Sequence, residues 1–455
     1  MFKIDELLEI TSAKLILKGA QRTINGVSID SRTIKKDDVF IAIKGNNFDG
    51  HDFAREAVRK GARTIIAMRY PPKIGRESNA NVILVKDTVR ALGDIAHYHR
   101  RKFNIPVIAV TGSNGKTTAK ELLSWILEEK FRVLKSPGTQ NNQIGLPMTL
   151  LRMNRRFDIA VLEIGTNHFG EVEYLSKIAR ANIGIITNIG PSHLEFLHTA
   201  HDVYREKYSL IRNLDAPFIG ILNKDDKLLA QKTVASRQEE LIVGFGRRSS
   251  CDYRASQIKR MDAAVEFAVN SKYKFTLNTL GAYNIYNALA AISAARLFGI
   301  DYDDIHKRLK SFVFPQGRLV FKRVDGVRFI DDTYNANPAS LEKALETLKA
   351  FKAKGRKILV MGDMLELGSY AESFHRQAGK AIAAVCDAFI SAGRLTLFTA
   401  ESARKSGMPQ HGIFSCSSSK EARQILMKKL KPSCEDIVLV KGSRLMRMEQ
   451  VIDNR

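Results

Sequence analysis

Cysteine is scarce. Cys251, Cys386, Cys416 and Cys434 are the only four in 455 residues, and none stands at a spacing used by metal knots or redox pairs. They read as reduced, partly buried thiols, which excludes a disulfide-stapled scaffold. Also missing is any run of about 18 apolar residues, the length a bilayer-crossing helix needs. The opening MFKIDELLEI is acidic and amphipathic and has no secretion-signal character, so a cytoplasmic protein without a membrane span is expected. Acidic residues are in deficit: 48 Asp and Glu face 72 Lys and Arg, a formal charge of +24 that attracts polyanions. The densest basic clusters, 100–102, 152–156 and 428–431, are short and carry no interleaved aromatics. No nucleic-acid partner is therefore expected, and most of the charge reads as solvated surface.

What is present is a chain long enough for two to four domains, at the usual ~100 to 200 residues each. Its focus is AVTGSNGKTTAKE, residues 109–121, which follows an apolar run and opens into a helical pattern. Strand, glycine loop and helix in that order leave backbone N–H groups and a helix N-terminus facing an anion. Gly112, Ser113, Asn114, Gly115, Lys116, Thr117 and Thr118 would form the phosphate cradle, with the Lys116 ammonium and Thr117 hydroxyl as its active groups. Val110 stands where the common phosphate loop has its first glycine.

Around this loop the pattern is that of a parallel sheet covered on both faces. The strand 159–162 ends in Glu163, at the sheet edge where α/β proteins bind ligands. Another, 183–187, leads to His193, and a third, 218–222, to NKDD at 223–226, polar enough for a ribose. The loop 136–147, SPGTQNNQIGLP, is amide-rich and long. In DVYREKYSLI, Val203, Lys207 and Leu210 share a helical face, and on pattern alone Lys207 is a surface lysine. Asn284 and Asn287 lie three apart on a predicted helix. Before 104, strands are expected at 38–43 and 81–85 and a helix at 51–61, with polar turns SIDSRT (28–33) and KGNNFDGH (44–51). After PQGR (315–318), strands at 327–330, 357–361 and 437–440 alternate with helices at 338–350 and 371–385.

TGSNGKTT, TQNNQIG, LEIGTNHFGE, NIGPSHLEF followed by Lys207, and GAYNIYNALAA together resemble the Mur ligase family of peptidoglycan synthesis. PQGR, DDTYNANPAS, GDMLELG with His375, and VKGSR with MEQV resemble the members that add D-alanyl-D-alanine to UDP-N-acetylmuramoyl-tripeptide. The resemblance implies an α/β protein of three domains. These are a small N-terminal UDP-substrate domain (1–103), a central phosphate-loop ATPase domain with a mostly parallel sheet (104–314) and a Rossmann-like C-terminal domain (315–455). It implies ATP-dependent ligation through an acyl phosphate and a tetrahedral intermediate, giving the pentapeptide precursor, by a monomeric enzyme.

By the same resemblance Lys116 would cradle the β- and γ-phosphates, Thr117 and Glu163 would hold one Mg²⁺, and His193 a second. Lys207 would carry a carbamate. A plain ammonium ~4 Å from a cation costs about 4 kcal/mol at an effective dielectric of ~20, and carbamylation replaces it by an anionic oxygen. Asn284 and Asn287 would hold adenine, beside Tyr283 where many relatives have histidine. Arg318 and Asp332 would reach the nucleotide on domain closure. Tyr334, Asn335 and Asn337 would lie near the dipeptide or acyl phosphate, and Asn141 and Asn142 near the nucleotide-sugar peptide. Ser31, Arg32, Lys44 and Asp49 would hold the uridine diphosphate end. Competing readings are another Mur-type amide ligase, amino-acid-adding or like folylpolyglutamate synthetase, and a nucleic-acid-stimulated phosphate-loop ATPase.

Overall fold

The strand Val107–Thr111 alternates its side chains between two apolar layers, Val107 and Ala109 into one and Ile108 and Val110 into the other. That double burial is why its sequence is continuously apolar. In the computed structural model, which describes residues 1–20, 22–72, 74–75, 78–231 and 241–453, this strand lies inside a nine-stranded sheet. Ile159–Glu163 and Ile183–Ile186 flank it in parallel, with Val133–Lys135 beyond the first and Ile219–Asn223, then Leu241–Gly246, beyond the second. Tyr253–Arg260 joins in parallel, and Val265–Val269 and Tyr273–Leu277 complete the sheet as an antiparallel meander. The helices Lys116–Leu127 and Asn284–Leu297 cover one face. Glu171–Ala179 and Ala200–Arg212 cover the other, so that residues of both helices are core on their sheet-facing sides.

Two further large sheets precede and follow it, each in its own α/β domain, besides a two-stranded ribbon of Phe2–Lys3 and Thr23–Ile24. The first is five-stranded, in the order Lys14–Leu17, Asn81–Leu84, Thr64–Ala67, Val39–Ile41, Val27–Ser28, parallel but for its first edge strand. The last is six-stranded, in the order Val320–Val324, Val327–Asp332, Ile437–Lys441, Lys357–Gly362, Ala388–Ala392, Ile413–Cys416, again with one antiparallel edge. The helix Thr88–Arg100 belongs to an apolar cluster that runs from the first sheet into the central one, through Leu92, Ile95 and Ala96.

Local departures from expectation have identifiable causes. Residues 51–61 do not form one helix. A 3₁₀ turn, Gly50–Phe53, precedes the α-helix Ala54–Arg59, because Asp49 accepts from the His51 N–H and the buried His51 ring accepts from the N–H of Met68. The helix into which the phosphate loop opens starts within the motif itself, at Lys116, and ends at Leu127. The helix expected to reach 385 stops at Ala383. The four cysteines are free, Cys251 and Cys386 buried and Cys434 exposed.

Candidate active site

The phosphate-type loop begins later than the common pattern because Val110 still serves the strand core. Its glycines stand where nothing larger fits. At Gly112 (φ 144°) a Cβ would lie 2.0 Å from Thr187 Oγ1, and at Gly115 (φ 83°) 2.2 Å from Asn287 Oδ1. The loop is pinned from the neighbouring strand end. The Ser113 N–H donates to the Asn188 carbonyl (2.9 Å), the Asn114 N–H to Asn188 Oδ1 (3.0 Å), and Thr187 Oγ1 to the Asn114 carbonyl (2.6 Å). Lys116 opens the helix, and its Nζ rests on the Gly112 carbonyl at 2.8 Å. Burial lowers its pKa, with Glu163 opposing. Buried Thr117 accepts from the Arg318 guanidinium at 3.1 Å.

Glu163 ends its strand inside the cavity, 1% exposed; Oε1 accepts from Asn141 Nδ2 at 2.7 Å, and Oε2 has no partner. Lys207 is a correction to the surface reading: it is 0% exposed, on the helix Ala200–Arg212, and its Nζ has no hydrogen-bond partner. Burial, and then the Lys116 charge, hold its pKa well below the ordinary lysine range, with neighbouring Glu206 opposing. Glu206 is itself committed to the backbone N–H groups of Gly170 (2.8 Å) and Val172 (2.7 Å). An isolated ammonium is costly to bury, so the surroundings favour the neutral form of this side chain. His193, at φ 54°, places Nδ1 2.6 Å from Glu366 Oε2. Burial lowers its pKa, and the Glu366 contact pulls the other way.

The opposite wall comes from elsewhere in the chain. Asn284 and Asn287 share a face as expected, but they bind one another (2.9 Å), and Asn284 Nδ2 donates to Thr279 Oγ1 at 2.9 Å. Tyr286 donates to Asp225 Oδ2 at 2.8 Å, and half-buried Tyr283 has its phenol pKa raised by desolvation. From the C-terminal domain, Arg318 stacks 3.7 Å over the Tyr334 ring. Asp332 pairs with Lys441 Nζ at 2.5 Å, and Lys441 also donates to the Asn335 carbonyl. Asn337 caps the helix Pro338–Ala350 and donates to Asn114 Oδ1 at 2.8 Å. These groups enclose a cavity of about 560 Å³.

Some expected residues lie outside it. The Asn142 side chain accepts from the N–H groups of Ile144 and Gly145 in the turn that leads into the helix Gly145–Leu150, so it serves the fold. Ser31, Arg32, Lys44 and Asp49 sit on loops of the five-stranded sheet, where exposed Arg32 forks Asp30 and Asp49 holds His51 and Arg69. His375 is buried, between the Ala371 carbonyl and the Met364 N–H, a structural role. The cavity also takes in Asn223, Asp225 and Asp226 of the NKDD segment; sequence reasoning missed Asn188, Tyr286, Glu366 and Lys441. The last two stood inside GDMLELG and VKGSR, but nothing in spacing paired them with residues more than 100 positions away.

Among the described residues no three His, Cys, Asp or Glu side chains form a ready-made metal cage. The Glu163 carboxylate and the Thr117 hydroxyl, with His193 beside them, are nonetheless groups that could serve Mg²⁺, which keeps phosphate and water ligands rather than a full protein shell; Lys207 would join them only through an oxygen. The orphaned Glu163 Oε2 and Lys207 Nζ are the two observations in favour: each is a buried polar atom whose partner is still to come.

A phosphate loop faced by a wall from the C-terminal domain is the arrangement of a nucleotide-using enzyme whose site is built from more than one domain. Three family descriptions match in succession: "Mur ligase family, catalytic domain" over residues 23–100, "Mur ligase middle domain" over 110–295, and "Mur ligase, glutamate ligase domain" over 317–444. The chain belongs to the Mur ligase family. It is 34% identical to the UDP-N-acetylmuramoyl-tripeptide--D-alanyl-D-alanine ligase of Bacillus subtilis, over 95% of this chain and 93% of that one. The crystal structure of MurF from Acinetobacter baumannii superposes with a TM-score of 0.88 at 30% identity, covering 99% and 97% of the two chains. MurF ligase from Thermotoga maritima, solved with ADP, superposes at 0.80 and 29% identity over 94% and 96%. Among the described residues no helix is long and apolar enough to cross a membrane.

Proposed function

We propose that the protein uses ATP to join D-alanyl-D-alanine to UDP-N-acetylmuramoyl-tripeptide, yielding the pentapeptide precursor of peptidoglycan and releasing ADP and phosphate. The near full-length likeness to the Bacillus subtilis ligase carries this reading. In the first step an oxygen of the terminal peptide carboxylate attacks the γ-phosphorus and the bond to ADP breaks. In the second, the dipeptide amine attacks the acyl carbon, loses a proton, and phosphate leaves with the C–O electron pair. Both steps gather negative charge, so positioning and cations do most of the catalysis.

The residues divide this work by position. The loop N–H groups of 112–118 receive the phosphates, and Lys116 supplies the nearby full positive charge. Arg318, already at Thr117 Oγ1, adds another from the C-terminal side. Thr117, Glu163, His193 and Lys207 would hold Mg²⁺, which when bound neutralises phosphate oxygens. Lys207 joins that set as a carbamate: a neutral buried amine is the nucleophilic form that CO₂ requires, and the product offers an anionic oxygen. Asn284, Asn287 and Asp332 line the nucleotide side, and Asn141, Tyr334, Asn335 and Asn337 the side left for peptide and dipeptide. Ser31, Arg32, Lys44 and Asp49 bind the UDP end on the N-terminal domain. We take the domains as 1–103, 104–314 and 315–455, acting as a cytoplasmic monomer. Phosphate release from ATP is expected only with both the UDP-tripeptide and the dipeptide present. Equal turnover with a free amino acid in place of the dipeptide overturns the assignment.

A further inference from the structure

We infer that Glu366 is a positioning residue for His193: reaching across from the C-terminal domain, it holds the imidazole in the tautomer that can ligate a metal. The inference rests on the reading of His193 as a Mg²⁺ ligand given above. A carboxylate can only accept, so at 2.6 Å the proton between the two groups sits on Nδ1 and points at Glu366 Oε2. The neutral ring then presents its lone pair on Nε2, whereas the opposite tautomer would place a proton where the metal must bind. Among the described residues this is the one hydrogen bond recorded for the His193 ring.

The contact is built on both sides. His193 (φ 54°) and Glu366 (φ 63°) both occupy the left-handed region that non-glycine residues avoid, a strain that persists only where surroundings impose it. The backbone between them is joined as well, with the Glu195 N–H donating to the Glu366 carbonyl at 3.2 Å. A Cβ at Gly368 (φ 55°) would approach Glu195 Cα to 3.0 Å, so the two turns lie in close contact. Beneath them Phe374 of the C-terminal domain packs on Leu194, Leu197 and Val203 of the central one. The Glu366 side chain is itself 42% exposed, so truncating it opens no hole in the core.

The test uses the full-length protein with Mn²⁺ alone as probe, free ion being counted by its electron paramagnetic resonance signal. Removing an outer partner of a ligating histidine typically weakens metal binding about 10- to 100-fold, and that loss is expected for Glu366→Ala at unchanged melting temperature. Glu366→Gln keeps an acceptor oxygen and should recover part of the affinity. His193→Ala serves as the reference. Wild-type Mn²⁺ affinity in Glu366→Ala, with affinity lost in His193→Ala, overturns the positioning role and leaves the ligase reading intact. Wild-type affinity in His193→Ala overturns the metal role of His193 along with it, while the two-substrate phosphate-release assay still judges the ligase.

Discussion

The nine-stranded sheet has a cavity at each end, and the larger is not the site. Beyond the N-terminal strand ends lies a basic hollow of about 1150 Å³, roughly twice the volume of the phosphate-loop cavity at about 560 Å³. Several of its polar groups are already paired by the fold. Arg100 donates to the carbonyls of Ala179, Phe103, Ile105 and Arg180, and Arg180 pairs with Asp215 at 2.6 Å. Asn182 accepts from the Val107 N–H and donates to the Ala216 carbonyl. At the other end of the same strands, Glu163 Oε2 and Lys207 Nζ are buried without partners. Unpartnered ionisable groups close to the Lys116 charge, rather than size or net charge, set the phosphate-loop end apart from an end where the chain has been stitched together.

Four substitutions test that contrast. Lys116→Ala should have the largest effect, lowering kcat by about 10³-fold, the scale of losing a charge-stabilising donor, with the circular dichroism spectrum unchanged. Arg100→Ala should do the reverse. It strands several carbonyls and should lower unfolding stability by about 3 kcal/mol in urea titration, while kcat/KM per folded molecule stays at the wild-type value. A loss of turnover without a loss of stability there would break the comparison.

Lys207→Ala should cost about 10- to 100-fold in activity, partly restored by bicarbonate or a short carboxylic acid, in line with loss of one metal ligand. It also carries a pH signature. The folded-state pKa lies below the unfolded one, so between the two the unfolded chain binds the extra proton and stability rises with pH. In CO₂-free buffer the wild-type melting temperature should therefore climb with alkalinity toward the ordinary lysine pKa, and the alanine variant should lack that climb. Smallest is Tyr286→Phe, which removes the hydrogen bond to Asp225 and should raise the KM for ATP about fivefold, a change of about 1 kcal/mol.

What could be read in the chain beforehand was local. The strand Ile159–Glu163 announces itself by an unbroken apolar run, and its last residue by where parallel sheets place their ligands. The helix Asn284–Leu297 is apolar nearly all round because it lies against the sheet and the helix Lys116–Leu127 together. Lys207 resisted although it shares a face with Val203 and Leu210, because a lysine on an apolar stripe ordinarily carries its ammonium out to solvent, whereas here the whole side chain is buried with its neighbours Glu206 and Tyr208. The antiparallel strands after 253 were not foreseen. Nor were the contacts across the cleft, which join residues 173, 201 and 223 positions apart. No periodicity spans such distances. The family resemblance supplied the carbamate role, and the burial of the amine gives it a physical basis.

Two of those cross-cleft hydrogen bonds have a consequence for the rhythm of turnover. Arg318 on Thr117 and Asn337 on Asn114 both end on groups that the nucleotide and its metal would claim, whereas Glu366 on His193 would persist. The C-terminal wall thus acts as a place-holder, keeping those groups occupied with side chains until cargo arrives. Exchanging one set of hydrogen bonds for another changes the free energy little, so the cleft can part and reseal without a deep well on either side. On the proposed reading every catalytic cycle includes such a parting, and the pace of the enzyme is set by how quickly two domains let go of each other and of the product.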